Sequence, residues 1–191
     1  MIIVFGGTFN PPTKAHLNII NGLIKLYKPV KFFCIPVGNH YNKPSIVSFE
    51  HRIAMLNLLN KESLMPMQIL DIEKDPPFLG TYHALATIQD QNPNEEVFFV
   101  LGTDHLKTIN TWINVKKLLK EFKFIVVRRK NYSLDFSYLK QNHCQYEVFD
   151  FDSDIASTKI RNNPVKFQED VIPAIYQYIQ KNKLYGGNDD V

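Results

Sequence analysis

The chain has 191 residues, 45% of them hydrophobic and 21% charged, which is ordinary for one folded, soluble domain with or without a small appendage and ample for burying a core. A net charge of +3 favours anionic ligands, yet no Lys/Arg block is long enough to make a nucleic-acid face, so small phosphorylated partners are expected and nucleic acid is not. Cys34 and Cys144 lie far apart outside any C-x-x-C pattern, no apolar run reaches membrane-spanning length, and Met1 leads straight into strand residues; a disulfide framework, a zinc site and a membrane span are not indicated, and a cytoplasmic setting is expected.

Ile2-Ile3-Val4-Phe5 reads as a first strand running into Gly6-Gly7. Thr13 and His16 then open an amphipathic helix in which Ile20, Leu23, Ile24 and Tyr27 share a face. Lys31 to Pro36 is a second strand, followed by a loop from Val37 to Val47 rich in Gly, Asn, Lys and Pro. Ser48 is the expected N-cap of a helix that turns Phe49, Ile53 and Leu56 inward. Met67 to Asp71 is a short third strand, Asp75-Pro76-Pro77-Phe78 a break, and Thr81 the expected cap of a helix through about Ile88. Val97 to Leu101 is an almost wholly apolar fourth strand ended by Gly102, and a helix around Val115 to Leu119 leads to a fifth, Phe124 to Val127. A sixth strand around Tyr146 to Phe149 precedes two helices, the last carrying Ile172, Ile175, Tyr176 and Ile179 at helical spacing.

Strands this apolar are buried on both faces, as in a parallel sheet covered by helices. The expected fold class is therefore α/β: a doubly wound, Rossmann-like parallel sheet with a short C-terminal helical segment, from about residue 155, packed on the same single domain. Ligands of such folds bind beyond the carboxyl ends of the strands, where the Gly6-Gly7 turn, the loop after Pro36 and the segment after Gly102 all emerge. The first of these reads as a phosphate site. Glycines admit an anion close to the backbone, a helix start presents unpaired N–H groups and the positive end of a dipole, and His16 adds a cationic donor. The bland alternative is a plain strand-to-helix turn, and Thr13 together with His16 argues against it.

Two stretches carry a resemblance. Gly6-Gly7-Thr8-Phe9-Asn10-Pro11 with Thr13-x-x-His16, and Ile155-Ala156-Ser157-Thr158-Lys159-Ile160-Arg161 near the end, resemble the T/H-x-G-H and I-S-S-T-x-x-R signatures of the nucleotidyltransferase superfamily. Gly102-Thr103-Asp104 followed by Trp112, the Arg128-Arg129 pair after the fifth strand, and the closing Tyr178-Ile179 to Leu184-Tyr185 are similar to the bacterial nicotinate mononucleotide adenylyltransferase family in particular. The resemblance spans essentially the whole chain. It implies transfer of AMP from ATP, accompanied by Mg2+, to nicotinate mononucleotide, with deamido-NAD and pyrophosphate as products in NAD biosynthesis.

The resemblance also implies roles. His16, with Thr13 beside it, is the expected catalytic group, donating to the ATP α-phosphate. Gly6, Gly7, Thr8 and Phe9 with Ser157, Thr158 and Arg161 would bind ATP, the last three holding its β- and γ-phosphates. Asn10, Lys43, His83, Gly102, Asp104, Trp112, Ile113 and Arg128 would bind the mononucleotide: Asp104 through ribose hydroxyls, Trp112 by stacking on the pyridine, the Ile113 and His83 backbone N–H groups through the nicotinate carboxylate, and Lys43 and Arg128 through phosphate. The chain departs from the pattern at Thr13 and Ala15 in the first signature, at Tyr41-Asn42-Lys43 where relatives carry Pro-His-Lys/Arg, and at Thr81-Tyr82-His83 where they carry Ser-Tyr-Thr.

The chemistry needs no nucleophile from the protein. The attacking group is the substrate's own phosphate monoester, whose second pKa of about 6 leaves it largely ionised at neutral pH, so catalysis is positioning plus charge stabilisation. His40, His51, His105 and His143 form no metal-ligand spacing, and Mg2+ would arrive on ATP. The alternatives are another small nucleotidyltransferase acting on nicotinamide mononucleotide, phosphopantetheine or a cytidylyl substrate, and a nucleotide-sensing protein without turnover. Trp112 after Gly102-Thr103-Asp104 opposes the first, and intact His16 and Arg161 oppose the second. Oligomeric state is left open.

Overall fold

The computed structural model describes residues 1–38, 45–128 and 134–186. Six strands, β1 (Ile2–Gly7), β2 (Lys31–Pro36), β3 (Gln68–Ile69), β4 (Val97–Gly102), β5 (Lys123–Arg128) and β6 (Tyr146–Asp150), form one sheet in the order β3-β2-β1-β4-β5-β6. Every neighbouring pair is parallel. This is the doubly wound arrangement, and its strand order reverses between β1 and β4.

Period-2 alternation along each buried strand divides the core into two layers. Ile3, Phe5, Phe32, Cys34, Phe98, Val100, Ile125 and Val127 face one side, covered by α1 (Lys14–Tyr27), α2 (Phe49–Asn60), α6 (Ser157–Asn162) and α7 (Pro173–Lys181). Ile2, Val4, Phe33, Ile35, Phe99, Leu101, Phe124 and Val126 face the other, covered by α3 (Gly80–Gln91), α4 (Val115–Glu121) and α5 (Ser137–Gln141). The C-terminal helices contribute Ile160, Ile172, Ile175 and Ile179 to the first layer. Within α1, Ile20 and Leu23 are fully buried, while Ile24 and Tyr27 pack at the margin.

Several sequence expectations are corrected. The third strand expected over Met67 to Asp71 pairs only at Gln68 and Ile69, because β3 is a sheet edge with a single neighbour. In α2, Ile53 is only partly buried, and the inward stripe is Phe49, Arg52, Met55, Leu56 and Leu59. Ser48 caps that helix as expected, accepting from the His51 N–H. Thr81 is not the cap of α3, which begins at Gly80 after Leu79 and carries no side-chain cap. Gly80 has φ +85, and a Cβ there would stand 2.8 Å from Cβ of Ile113, so the turn requires glycine both for its backbone and for the approach of that neighbour. The short helix α5 has no counterpart among the expected elements.

Candidate functional site

A crevice of about 740 Å3 opens beyond the carboxyl ends of β1 and β4, at the point where the strand order reverses. Its floor is the segment from Gly6 to Thr13, and the way that segment is held decides what it can bind. Carbonyl oxygens along it are engaged by donors from distant parts of the fold. Gly7 O accepts from the Val37 N–H at 3.0 Å, and Thr8 O accepts from Arg52 Nη1 at 3.0 Å. Asn10 O accepts from Arg161 Nη1 at 2.9 Å, and Pro11 O from Ser157 Oγ at 2.9 Å. Fixing these acceptors on protein donors keeps their negative ends off an incoming phosphate, which is the arrangement an anion-binding turn needs.

At the start of α1, Thr13 and His16 cap each other. The His16 N–H donates to Thr13 Oγ1 at 3.4 Å, and the Thr13 N–H donates to His16 Nδ1 at 3.0 Å, with Thr13 Oγ1 also 2.8 Å from Nδ1. This is a capping box in which histidine takes the place of the usual Glu or Gln. Because Nδ1 accepts a backbone N–H, the bond assigns the ring proton to Nε2. That leaves the Nε2–H as the donor the imidazole can offer an anion. Phe9 and Phe5 flank the imidazole with ring centroids 5.2 and 6.1 Å away, fixing its plane.

Across the crevice stands α6, whose Ser157 and Arg161 are the donors already bonded to Pro11 and Asn10. Arg161 Nη2 also donates to Thr158 Oγ1 at 3.1 Å. Both signatures therefore meet, joined by direct hydrogen bonds. The opposite flank is built by the segment after β4. Asp104, about one third exposed, lies 3.7 Å from His105 Nε2. Trp112 is partly buried with edge contacts to Phe99 and His105 at 6.2 and 5.7 Å between centroids. Ile113 is exposed and sits against Gly80 at the start of α3.

The crevice thus collects Gly6, Gly7, Thr8, Phe9, Asn10, Thr13, His16, Gly102, Asp104, Trp112, Ile113, Ser157, Thr158 and Arg161. It does not collect two others. His83 lies exposed on α3, and the residues of that helix on the crevice wall are Gly80, Thr81 and Ala84. Arg128, exposed at the end of β5, pairs with Asp150. Lys43 lies outside the described residues. Asn10 lines the crevice, but its buried amide is committed to the fold: Nδ2 donates to Ser45 O at 2.9 Å, and Oδ1 accepts from the Val47 N–H at 3.3 Å and from Tyr185 Oη at 2.6 Å.

Sequence reasoning missed three participants. Arg52 is completely buried, and its guanidinium joins Thr8 O to Val47 O at 3.0 and 3.2 Å; its place on the apolar stripe of α2 was the available signal. Tyr185 closes the network from the C-terminal end, and burial pushes its hydroxyl far above the ordinary phenol range. Glu73 lines the crevice from the loop after β3. Among the described residues, no group of three or more His, Cys, Asp or Glu could hold a metal ion.

A family model described as cytidylyltransferase-like matches residues 4–163. A protein of Acholeplasma laidlawii named probable nicotinate-nucleotide adenylyltransferase is 38% identical over 97% of each chain, and the Bacillus subtilis protein named nicotinate-nucleotide adenylyltransferase is 25% identical over 95% of this chain and 96% of that one. Among solved structures, Plasmodium falciparum nicotinic acid mononucleotide adenylyltransferase complexed with NaAD superposes with a TM-score of 0.84 at 24% identity, covering 98% of both chains; this likeness is one of fold.

Proposed function

The chain belongs to the cytidylyltransferase-like family and, within it, to the nicotinate-nucleotide adenylyltransferases, and from that premise we propose that its crevice transfers AMP from ATP to nicotinate mononucleotide, releasing pyrophosphate and forming deamido-NAD for NAD biosynthesis. The observation that carries this reading is the joining of the two phosphate-facing elements: Ser157 and Arg161 donate to the same turn that leads into the Thr13–His16 pair.

ATP would bring Mg2+ with it, and the ion would supply charge neutralisation at the phosphates. Ser157, Thr158 and Arg161 receive the β- and γ-phosphates, where charge accumulates as pyrophosphate leaves. The Nε2–H of His16 donates to the α-phosphoryl oxygens as their charge grows, without surrendering its proton. The mononucleotide lies on the other flank, with Asp104 accepting from ribose hydroxyls and Trp112 against the pyridine. Its phosphate attacks in line, and the enzyme's contribution is alignment of two polyanions. No helix among the described residues is long and apolar enough to cross a membrane, and we place the enzyme in the cytoplasm.

The test is pyrophosphate release from Mg-ATP with nicotinate mononucleotide, nicotinamide mononucleotide and 4'-phosphopantetheine as acceptors. The expected order puts nicotinate mononucleotide first and phosphopantetheine at background. Turnover with phosphopantetheine alone, or with none of the three, would overturn the reading.

A further inference from the structure

One carboxyl on the crevice wall has no part in the chemistry above. Glu73 is 8% exposed, it lines the crevice, and its Oε2 is buried without a hydrogen-bond partner among the described residues. Folded proteins leave few buried acceptors unpaired, so such a group on the wall of a ligand crevice points to a partner on the ligand. A carboxyl is also out of place beside two polyanions, unless it faces a part of them that carries no phosphate.

The fold supplies that part. Its neighbour Ile72, with Leu70, packs on the sheet face of Trp112, Ala84 and Leu85, whereas Ile160 of α6, the phosphate helix, belongs to the opposite face. Glu73 lies on the segment that leads from β3 to Gly80 at the start of α3, a helix of the Trp112 face, and it lines the crevice together with Gly80, Trp112 and Ile113. We propose that Glu73 is a specificity-determining residue for the pyridine substituent: protonated, it donates a hydrogen bond to the carboxylate of nicotinate mononucleotide, and ionised, it repels that carboxylate and accepts instead from the amide N–H of nicotinamide mononucleotide. This role rests on the reading of the crevice as a pyridine-mononucleotide site.

Burial pushes the Glu73 carboxyl up to about 7, so both forms are populated near neutrality, and the protonated one makes a charge-assisted bond to a carboxylate. The other titratable or charged groups on the crevice wall are His16 from α1, Asp104 and His105 from the segment after β4, and Arg161 from α6. Its own loop adds Asp71, Lys74 and Asp75, all exposed, with Lys74 3.7 Å from Glu50.

The experiment measures kcat/KM for nicotinate and nicotinamide mononucleotides at saturating Mg-ATP, from about pH 6 to about pH 8.5, in the wild-type protein and in Glu73→Gln. Taking the ratio of the two substrates cancels every titration common to both, including those of the substrate phosphate and ATP. The expected ratio of nicotinate to nicotinamide falls by about tenfold or more across that range in the wild type and stays flat in Glu73→Gln, whose amide has no charge to gain. A flat wild-type ratio overturns the proposal and requires no variant to fold; an equal fall in both proteins overturns the role of Glu73. Absence of turnover with either mononucleotide would instead overturn the functional reading beneath it.

Discussion

The Thr13 backbone N–H donates to His16 Nδ1 at 3.0 Å while the His16 N–H donates back to Thr13 Oγ1 at 3.4 Å. The first bond sets the tautomer and the second sets the helix start, so two functions that share one pair of residues are separable by mutation. His16→Ala removes the Nε2–H donor and should lower kcat by about a hundredfold or more, the usual effect of one oxyanion-type donor, with little change in mononucleotide affinity. Thr13→Val keeps the backbone N–H that bonds Nδ1, and loses the cap together with the Oγ1 contact to Nδ1. It should cost about 1 kcal/mol of stability and much less than His16→Ala in kcat. Steady-state rates and urea unfolding of the two variants check both statements, and a His16→Ala enzyme with near-normal kcat would remove the imidazole from the mechanism.

Arg161 has two commitments, one to Asn10 O at 2.9 Å and one to Thr158 Oγ1 at 3.1 Å. Its loss should therefore act on ATP twice, by removing a cation from the phosphates and by loosening the turn on which they rest. Arg161→Ala is expected to raise KM for ATP and lower kcat together. Arg161→Lys keeps the charge but presents a point donor that cannot span both acceptors, so it should recover KM better than kcat. Initial rates against ATP at saturating mononucleotide read this out; no change in either constant would make Arg161 an ordinary surface residue.

The sheet was legible because its inner strands announce themselves. β1, β2, β4 and β5 are apolar on both faces and end at Gly, Pro or Arg, and their observed bounds differ from the expected ones by at most a residue or two. Signals that are local fared well too, as at the Ser48 cap and at the helix start marked by Thr13 and His16. The failures are long-range. Nothing near Asn10 shows that its amide is taken by Ser45 and Tyr185, which lie 35 and 175 residues away in the chain. Ile53 looked like an inward position of α2, yet Arg52 takes it, and its guanidinium reaches two loop carbonyls, Val47 O and Thr8 O. Thr81 looked like a cap because its side chain suits one, but the helix begins two residues earlier than that cap would set it, at Gly80 with its positive φ.

Trp112 is the chain's single tryptophan and meets Phe99 and His105 through edge contacts. Adding nicotinate mononucleotide without ATP should quench its fluorescence, since an electron-poor pyridine against indole is an efficient quencher. Trp112→Ala should raise KM for the mononucleotide by roughly one to two orders of magnitude, if base-on-aromatic stacking of about 1–3 kcal/mol transfers to a pyridine, and should move KM for ATP far less. Unchanged emission at saturating mononucleotide, with a normal KM in the variant, would reduce Trp112 to a packing residue.

The buried carboxyl of Glu73 also makes folding itself depend on pH, independently of any substrate. Burial raises it from 4.5 to about 7, so between those values the unfolded chain ionises this group while the folded chain keeps its proton. The folded state then binds more protons than the unfolded one, and stability must fall as pH rises through that window and level off above it. Glu73→Gln deletes the titration. At one fixed pH the variant mixes this gain with the cost of burying an amide, so the quantity to read is the change in its stability difference from wild type between about pH 4.5 and about pH 8. That change should favour the variant at the higher pH by up to about 3 kcal/mol, since one proton held across each pH unit of the window is worth about 1.4 kcal/mol. Urea unfolding at the two pH values measures it. A stability difference that does not move with pH would mean that Glu73 is solvated in the folded protein, and with that the unpaired carboxyl on the crevice wall would lose its significance.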